Sequence, residues 1–233
     1  MIPGDIRVYY HVAQMGDWRE VVAEQMAGLE RSGLRDAMSH LLVGVVGDQP
    51  LDMGLPPKSR IIFHGPDLKL GEIPTLQALH DHSQLEDFTV LYMHTKGVSS
   101  QERGYDRDAM DAWRRYMEHF CVGRWRECVA RLDGCDAVGC ECKASSVPKF
   151  FRGNFWWSRS PYLRALCPVA EIVLPPRLDG REREHRRKAE FWLGSNPSFK
   201  PRSMFDLGGE WSRPGYLYKH PVPPELYAGQ GRG

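Results

Sequence analysis

The stretch that most constrains this sequence is residues 88–98, Phe-Thr-Val-Leu-Tyr-Met-His-Thr-Lys-Gly-Val. Its first part is almost entirely apolar and rich in β-branched and aromatic side chains, which predicts a strand buried on both faces. The strand ends at His94, Thr95, Lys96 and Gly97. Ligands of an open α/β sheet bind beyond the carboxyl ends of its strands. A polar, positively charged strand end at this place favours a phosphate-bearing ligand. Lys96 would supply the charge, and Thr95 with the backbone around Gly97 the hydrogen-bond donors; an ordinary strand followed by a solvated turn is the alternative.

The rest of the chain alternates predicted strands with predicted helices. This favours one α/β domain over residues 1–233, with a mainly parallel central sheet flanked by helices. The other predicted strands lie at residues 5–11, 41–46, 60–64 and 135–142, with a short strand or turn at 153–158. Predicted helices begin at Asp17, with Glu20 completing a capping box, and at Pro74; others cover residues 106–132, broken at Gly123, 161–166 and 182–193. Residues 195–233 form an irregular tail or lid that would wrap the domain or order over a ligand.

Composition bears on location and on the cysteines. No apolar run approaches the roughly 20 residues of a membrane span, and the chain of 233 residues has a net charge of +1 and a mean hydropathy of −0.48. The first residues show no basic region followed by an apolar one, so no secretory signal is predicted and a cytoplasmic location is expected. All six cysteines lie between Cys121 and Cys167 without a C-x-x-C pair, which favours free thiols over a structural zinc site.

Two other stretches carry candidate ligand-binding side chains. The first strand ends at His11 and Val12, and this end of a nucleotide-binding α/β domain commonly lies under the base or ribose. A histidine buried in the core is the alternative for His11. Residues 152–157, Arg-Gly-Asn-Phe-Trp-Trp, contain two adjacent tryptophans. Trp156 and Trp157 would form a stacking wall for a sugar or base, with Asn154 making directed hydrogen bonds, unless they fill the core.

Acidic residues and histidines supply candidates for a base and for metal ligands. Glu190 precedes two aromatic residues on a predicted helix, and a carboxylate in an apolar setting suits proton abstraction from a hydroxyl. The alternative for Glu190 is a solvated helix face. Asp106-Arg-Asp108 matches D-x-D, a metal clamp, but its position at a predicted helix start favours capping; His80-Asp-His82 is a weaker metal candidate. The P-loop, dinucleotide-binding and nucleophile-elbow motifs do not occur in the sequence.

An ordered set of motifs resembles a known family. The set consists of Tyr9-Tyr-His-Val12, Trp18, Pro74-Thr-Leu76, Tyr92-Met-His-Thr-Lys-Gly97, Trp113-Arg114, Gly153-Asn-Phe-Trp-Trp157 and Tyr162-Leu163. It resembles small bacterial glycosyltransferase-like proteins related to the rhamnan-synthesis F glycosyltransferases, over residues 6–193 and in the same order. The resemblance implies a GT-A-type fold, that of nucleotide-diphospho-sugar transferases.

The resemblance also implies what individual residues do. The His-Thr-Lys stretch falls where relatives carry D-x-D, so Lys96 would stabilise the leaving diphosphate in place of a divalent cation. His94 would contact the diphosphate or the sugar, and Arg114 would be a second cation. One position departs from the pattern: a histidine is expected shortly before Gly153, where this chain has Phe-Phe-Arg. The acceptor side of the site is therefore left open.

Two functions remain as hypotheses from the sequence. The first is a glycosyltransferase that moves a sugar from a nucleotide-diphosphate donor to a hydroxyl of a saccharide, lipid-linked sugar, protein or modified DNA base, with the need for a divalent metal left open. Its expected catalytic residues are Lys96, His94 and Glu190, and its expected donor-binding residues are His11, Val12, Thr95, Gly97, Arg114, Asn154, Trp156 and Trp157. The second is a non-catalytic protein that binds sugar nucleotides or nucleic acid, because residues 143–219 contain 15 Lys and Arg against 7 Asp and Glu.

Overall fold

The computed structural model describes residues 4–100, 104–174 and 184–229, and its described strands form one sheet of seven. The strands are β1 (Ile6–Ala13), β2 (His40–Val46), β3 (Ser59–Gly65), β4 (Thr89–His94), β5 (Ala137–Gly139), β6 (Trp156–Arg159) and β7 (Pro201–Ser203). Their order is β3-β2-β1-β4-β6-β5-β7. Only β6 runs antiparallel to its neighbours, β4 and β5. The predicted α/β class with a mainly parallel sheet is confirmed.

Helices cover both faces of this sheet. They are α1 (Trp18–Arg31), α2 (Leu34–Ala37), α3 (Ile73–Leu85), α4 (Arg107–Glu118), α5 (Trp125–Arg131), α6 (Ser160–Arg164) and α7 (Glu184–Trp192). One face packs against α1, α4 and α5, the other against α3, α6 and α7. Side chains of a strand alternate between faces, so Tyr10 enters the first core and Tyr9 the second. None of the helices in the described ranges is long and apolar enough to cross a bilayer.

The order of the strands reverses between β1 and β4, and this position determines where a ligand can bind. From β1 the chain continues outward to β2 and β3, then crosses back to β4 on the other side. Parallel pairing brings His11 opposite His94, so the two polar strand ends meet at one edge. A crevice forms at such a reversal because the connections leave the neighbouring strand ends in opposite directions.

Several boundaries differ from the prediction. The strand predicted at 135–142 is only β5, and the helix predicted at 106–132 is α4, a π-helical turn at His119–Gly123, and α5. Asp106 caps α4 by accepting from Ala109 N–H at 2.7 Å, as its position indicated. Asp17 does not form the predicted capping box, because its carboxylate pairs with Arg107 instead. Of the helix predicted at 182–193, residues 182 and 183 lie outside the described residues.

The C-terminal tail belongs to the fold itself. Its strand β7 pairs in parallel with β5, an element that the sequence did not reveal. Further along, Leu217, Val222 and Tyr227 are buried in the core on the α4 side of the sheet. The described part of the tail therefore packs against the sheet and against the core on its α4 side.

Candidate active site

A cavity of about 120 Å³ lies where the carboxyl ends of β1 and β4 meet. His11 and Ala13 reach it from β1, and His94 to Gly97 reach it after β4. The turn before α3 adds Glu72, and the loop before β6 adds Gly153 and Asn154. A volume of this size suits a diphosphate rather than a whole nucleotide sugar, because pockets for complete ligands measure about 300–1,000 Å³.

Lys96 provides a positive charge in the wall of this cavity, and only 3% of the residue is exposed to solvent. Its Nζ lies 3.8 Å from the centroid of the Trp113 ring on α4, a cation–π contact. Gly153 leaves room for the lysine, since a Cβ there would lie 3.3 Å from Lys96 Cε and 2.4 Å from Met117 Sδ. Gly97 follows with a φ of +99°, a conformation that favours glycine. The sequence around Lys96 therefore fixes its position by packing.

The residues before Lys96 are hydrogen-bonded to neighbouring segments. Thr95 Oγ1 accepts from Ala13 N–H at 2.9 Å, and Thr95 N–H donates to His11 O at 3.0 Å. His94 Nε2 lies 2.9 Å from Gly153 O. Because a carbonyl only accepts, this contact assigns the proton to Nε2 of His94. These bonds connect the end of β4 to β1 on one side and to the glycine beside Lys96 on the other.

His11 is a neutral side chain in the same wall. Burial lowers its pKa to about 4, against a smaller opposite effect of the Glu72 carboxylate. Its Nδ1 lies 2.9 Å from Thr75 Oγ1 on α3. Gly44 on β2 makes this contact possible, since a Cβ there would be 2.0 Å from the Thr75 hydroxyl. His11 can therefore exchange hydrogen bonds with a ligand near pH 7 but adds no positive charge.

Glu72 is a residue of the cavity wall that the sequence did not single out. Its carboxylate accepts from Asn154 Nδ2 at 2.7 Å and from Tyr92 OH at 2.9 Å. Burial raises the pKa of Tyr92, so this hydroxyl stays protonated and donates. Asn154 has a φ of +57° and also accepts from Trp156 Nε1 at 2.9 Å. Glu72, Tyr92 and Asn154 come from three separate segments, and no local pattern relates them.

Glu190 on α7 connects this cavity to a larger one. The second cavity measures about 690 Å³ and shares Tyr105, Gly153 and Glu190 with the first. The neighbouring Phe191 and Trp192 are buried on the α3 side of the sheet and hold the helix in place. The carboxylate predicted as a proton acceptor is thus half-buried at the junction of two cavities.

Trp156, Trp157 and Val12 are core residues rather than residues of the cavity wall, and for the two tryptophans this is the alternative that the sequence left open. The two tryptophans are adjacent on β6 and point to opposite faces of the sheet. Trp157 Nε1 donates to Cys121 O at 2.7 Å, and Trp156 stacks on Tyr92. Val12 is fully buried as well. Strand alternation is the reason, because neighbouring residues of a strand cannot form one stacking wall.

Arg114 also differs from its prediction as a second diphosphate cation. Its side chain is almost fully buried and contacts the carboxylates of Asp111 and Glu24 at 2.7 and 2.6 Å, with Glu118 at 3.5 Å. Its Nη1 also donates to the backbone carbonyl of Lys96 at 3.1 Å. Arg114 is therefore occupied by acids and supports the Lys96 turn from behind, outside the cavity wall.

Metal ligands do not converge anywhere in the described part of the chain: no group of three or more His, Cys, Asp or Glu side chains could hold an ion there. His80 and His82 have different partners, the carbonyl of Leu166 and the hydroxyl of Tyr9. The six cysteines form no disulfide.

Comparison with protein families identifies the family of this chain. Residues 7–173 match a family model described as a domain of unknown function (DUF8361). No curated protein matches the sequence. The matched region includes His11, Glu72, Lys96 and Asn154, and it ends before Glu190.

Proposed function

Because the chain belongs to the DUF8361 family, a domain of unknown function, we propose an activity from its site: transfer of a sugar from a nucleotide-diphosphate donor to a hydroxyl. The observation that carries this proposal is the buried Lys96 in the cavity at the reversal of strand order. The resemblance of its motifs to rhamnan-synthesis F-like glycosyltransferases supports the same conclusion, and with it a GT-A-type fold.

Lys96 acts on the leaving group. When the bond between the anomeric carbon and the diphosphate oxygen breaks, that oxygen keeps the electron pair and gains negative charge. An ammonium in a site shielded from water stabilises this charge more than it would in bulk solvent. Thr95 and the backbone at Gly97 lie beside it in the same wall. The small cavity matches the diphosphate, and the rest of the donor extends beyond it.

Glu190 acts on the acceptor. The carboxylate takes the proton of the acceptor hydroxyl while the hydroxyl oxygen forms the new bond to the anomeric carbon. Its position at the junction of the two cavities supports this role, with a donor in the first cavity and an acceptor in the second. Asn154 and Glu72 offer hydrogen bonds to sugar hydroxyls, and neutral His11 offers one to the ribose or base.

The first experiment is a thermal-shift panel of nucleoside diphosphates and nucleotide sugars. A donor at about 100 times its Kd should raise the free energy of unfolding by about 2.7 kcal/mol. Lys96→Ala should abolish this shift, and Lys200→Ala, at an exposed lysine away from the cavity, should preserve it. A panel in which no nucleotide shifts the wild-type protein, or in which K96A responds like wild type, would contradict the proposal.

A further inference from the structure

The second cavity differs from the first in size and in the charge of its wall. We propose that it binds the acceptor and that this acceptor is a small molecule carrying a phosphate group. The inference rests on the proposed transfer of a sugar and adds the chemical class of the acceptor. Three observations carry it: the cations in the wall, the aromatic side chains in the same wall, and the position of Glu190.

The wall of the second cavity contains more positive than negative charge. Lys143, Arg152 and Arg187 line it, with Glu190 as the acid. Arg152 is compensated by the buried Glu141, whose Oε2 lies 3.3 Å from its Nη1. Lys143 Nζ has a carbonyl partner, Ser212 O at 3.4 Å, and for Arg187 the described residues provide no ion pair or hydrogen bond. Lys143 and Arg187 can therefore bind an anion, and a guanidinium matches two phosphate oxygens at once.

Aromatic side chains provide the rest of the wall. Trp113, Phe150, Phe191 and Tyr218 line the cavity together with the cations. Rings of this kind pack against the apolar face of a sugar or base, while the cations orient its charged end. The volume of about 690 Å³ is that of a site for one small ligand. A nucleic-acid interface commonly buries about 1,000 Å² or more of protein surface. A single cavity of this volume accommodates one small ligand instead, which favours a small phosphorylated acceptor.

The helix α7 sets the distance between the phosphate and the reacting hydroxyl. Arg187 and Glu190 are three residues apart, so they lie on the same face with their Cβ atoms about 5–6 Å apart. Both line the second cavity, and Glu190 also reaches the first. An acceptor whose phosphate contacts Arg187 would thus present a hydroxyl a few bonds away to the Glu190 carboxylate. A monosaccharide phosphate has these dimensions.

Calorimetric titration of the full chain with matched probes tests the inference. The probes are glucose 6-phosphate and phenyl phosphate, compared with glucose and phenol. Each phosphate should bind about tenfold more tightly than its uncharged counterpart, or better. The double variant Lys143→Gln/Arg187→Gln should remove that preference. The control Lys200→Gln/Arg202→Gln removes the same amount of charge from exposed positions at β7. This variant should keep the preference for the phosphate probes.

The other arms separate this inference from the proposed function. UDP and GDP are titrated as probes of the first cavity, and their binding should be lost in K96A and kept in the double variant. If the double variant loses nucleoside diphosphate binding, the second cavity holds the donor and the inference is wrong. It is equally wrong if the phosphate probes fail to bind, if their binding depends on Lys96 alone, or if a single-stranded oligonucleotide binds more tightly through Lys143 and Arg187. If the phosphate probes bind through Lys143 and Arg187 but no nucleoside diphosphate binds, the phosphate site is supported and the proposed transferase activity is refuted.

Discussion

Lys96 is a charged side chain kept almost entirely out of water, and its neighbours explain how the fold accommodates it. Burial of an ammonium is costly unless other groups interact with the charge. The Trp113 ring provides one such interaction, and the Gly153 and Gly97 positions leave the space that the side chain and its turn require. An anionic ligand in the adjoining cavity would add a stronger one. Lys96 is thus positioned to bind an anionic ligand.

Gly153→Ala tests this packing. The new methyl would meet Met117 Sδ at 2.4 Å and crowd Lys96, at a backbone φ of +90°. We expect a loss of about 1–3 kcal/mol in unfolding free energy, together with loss of nucleoside diphosphate binding. Urea unfolding and thermal shift measure the two effects. Gly28→Ala on α1, where the nearest atom is 4.0 Å away, is the matched control and should stabilise by about 0.5–1 kcal/mol. A G153A protein as stable and as responsive as wild type would refute the packing argument.

Glu190→Gln separates chemistry from donor binding. The amide keeps the shape of the side chain and cannot accept a proton, so turnover should fall by about 10²–10⁴-fold. Nucleoside diphosphate binding should be kept, because Lys96 is intact and the amide preserves the shape of the cavity wall that Glu190 shares. Product formation with a donor found in the thermal-shift panel measures the rate, and calorimetry measures binding. Wild-type turnover in E190Q would exclude Glu190 as the base.

At the scale of an element, α4 is the helix on which the site depends. It contributes Trp113, which faces Lys96, and Arg114, which binds the Lys96 carbonyl. Near its end lies Glu118, whose pKa burial raises to about 7, with Arg114 opposing the shift. Gln25 Nε2 joins this network by donating to Glu118 at 2.8 Å and to His94 O at 3.1 Å. The helix therefore couples a titratable carboxyl to the backbone of the site.

The raised pKa of Glu118 predicts a pH dependence of stability. Between its ordinary value of 4.5 and about 7 the folded protein holds a proton that the unfolded chain has released. The stability associated with this group is therefore complete below pH 4.5 and is lost as the pH rises to about 7. The free energy of unfolding lost over this pH range totals up to about 3 kcal/mol. The glutamine of Glu118→Gln does not titrate, so the stability of E118Q relative to wild type should increase across this range.

Denaturant unfolding at several pH values measures this difference. Glu20→Gln, at an exposed glutamate of α1, is the control and should follow the wild-type curve. An E118Q curve parallel to wild type from pH 4.5 to 8 would mean that the folded and unfolded states ionise Glu118 alike.

At the scale of the whole molecule, the C-terminal part of the chain packs against the sheet and the helix α4. The strand β7 completes the sheet beside β5, and aromatic residues of the tail pack on α4, as in the contact of Tyr218 with Trp113 at 5.4 Å. Tyr218 also lines the second cavity. The tail thus connects the core to the wall of the proposed acceptor site.

Leucine substitutions in the tail test whether it is part of the core. Leu217→Ala removes a fully buried side chain and should cost about 2–5 kcal/mol of unfolding free energy. Leu226→Ala, the same change at a residue 39% exposed, should cost clearly less. Urea denaturation compares the two variants. Equal small effects would mean that the tail is dispensable for stability.

Local patterns in the sequence were sufficient for the fold class and for one strand of the site. Alternation of apolar strands with helices identified the mainly parallel sheet, and the polar end of residues 88–98 identified the side chains after β4. The sheet and the end of this strand were predictable because periodicity and strand ends depend on neighbours in sequence. The capping of α4 by Asp106 was predictable for the same reason.

What only the tertiary structure decided were pairings between distant segments. The sequence left Trp156 and Trp157 open between a ligand wall and the core, and they belong to the two cores. The resemblance implied a diphosphate contact for Arg114, whose side chain contacts carboxylates. Glu72 and the strand β7 gave no usable local signal. A side chain's partner depends on which segments the sheet brings together, and that is set by the free energy of the whole packed chain. The sequence therefore determined the architecture and its polar edge, while packing determined which of those residues face the cavities.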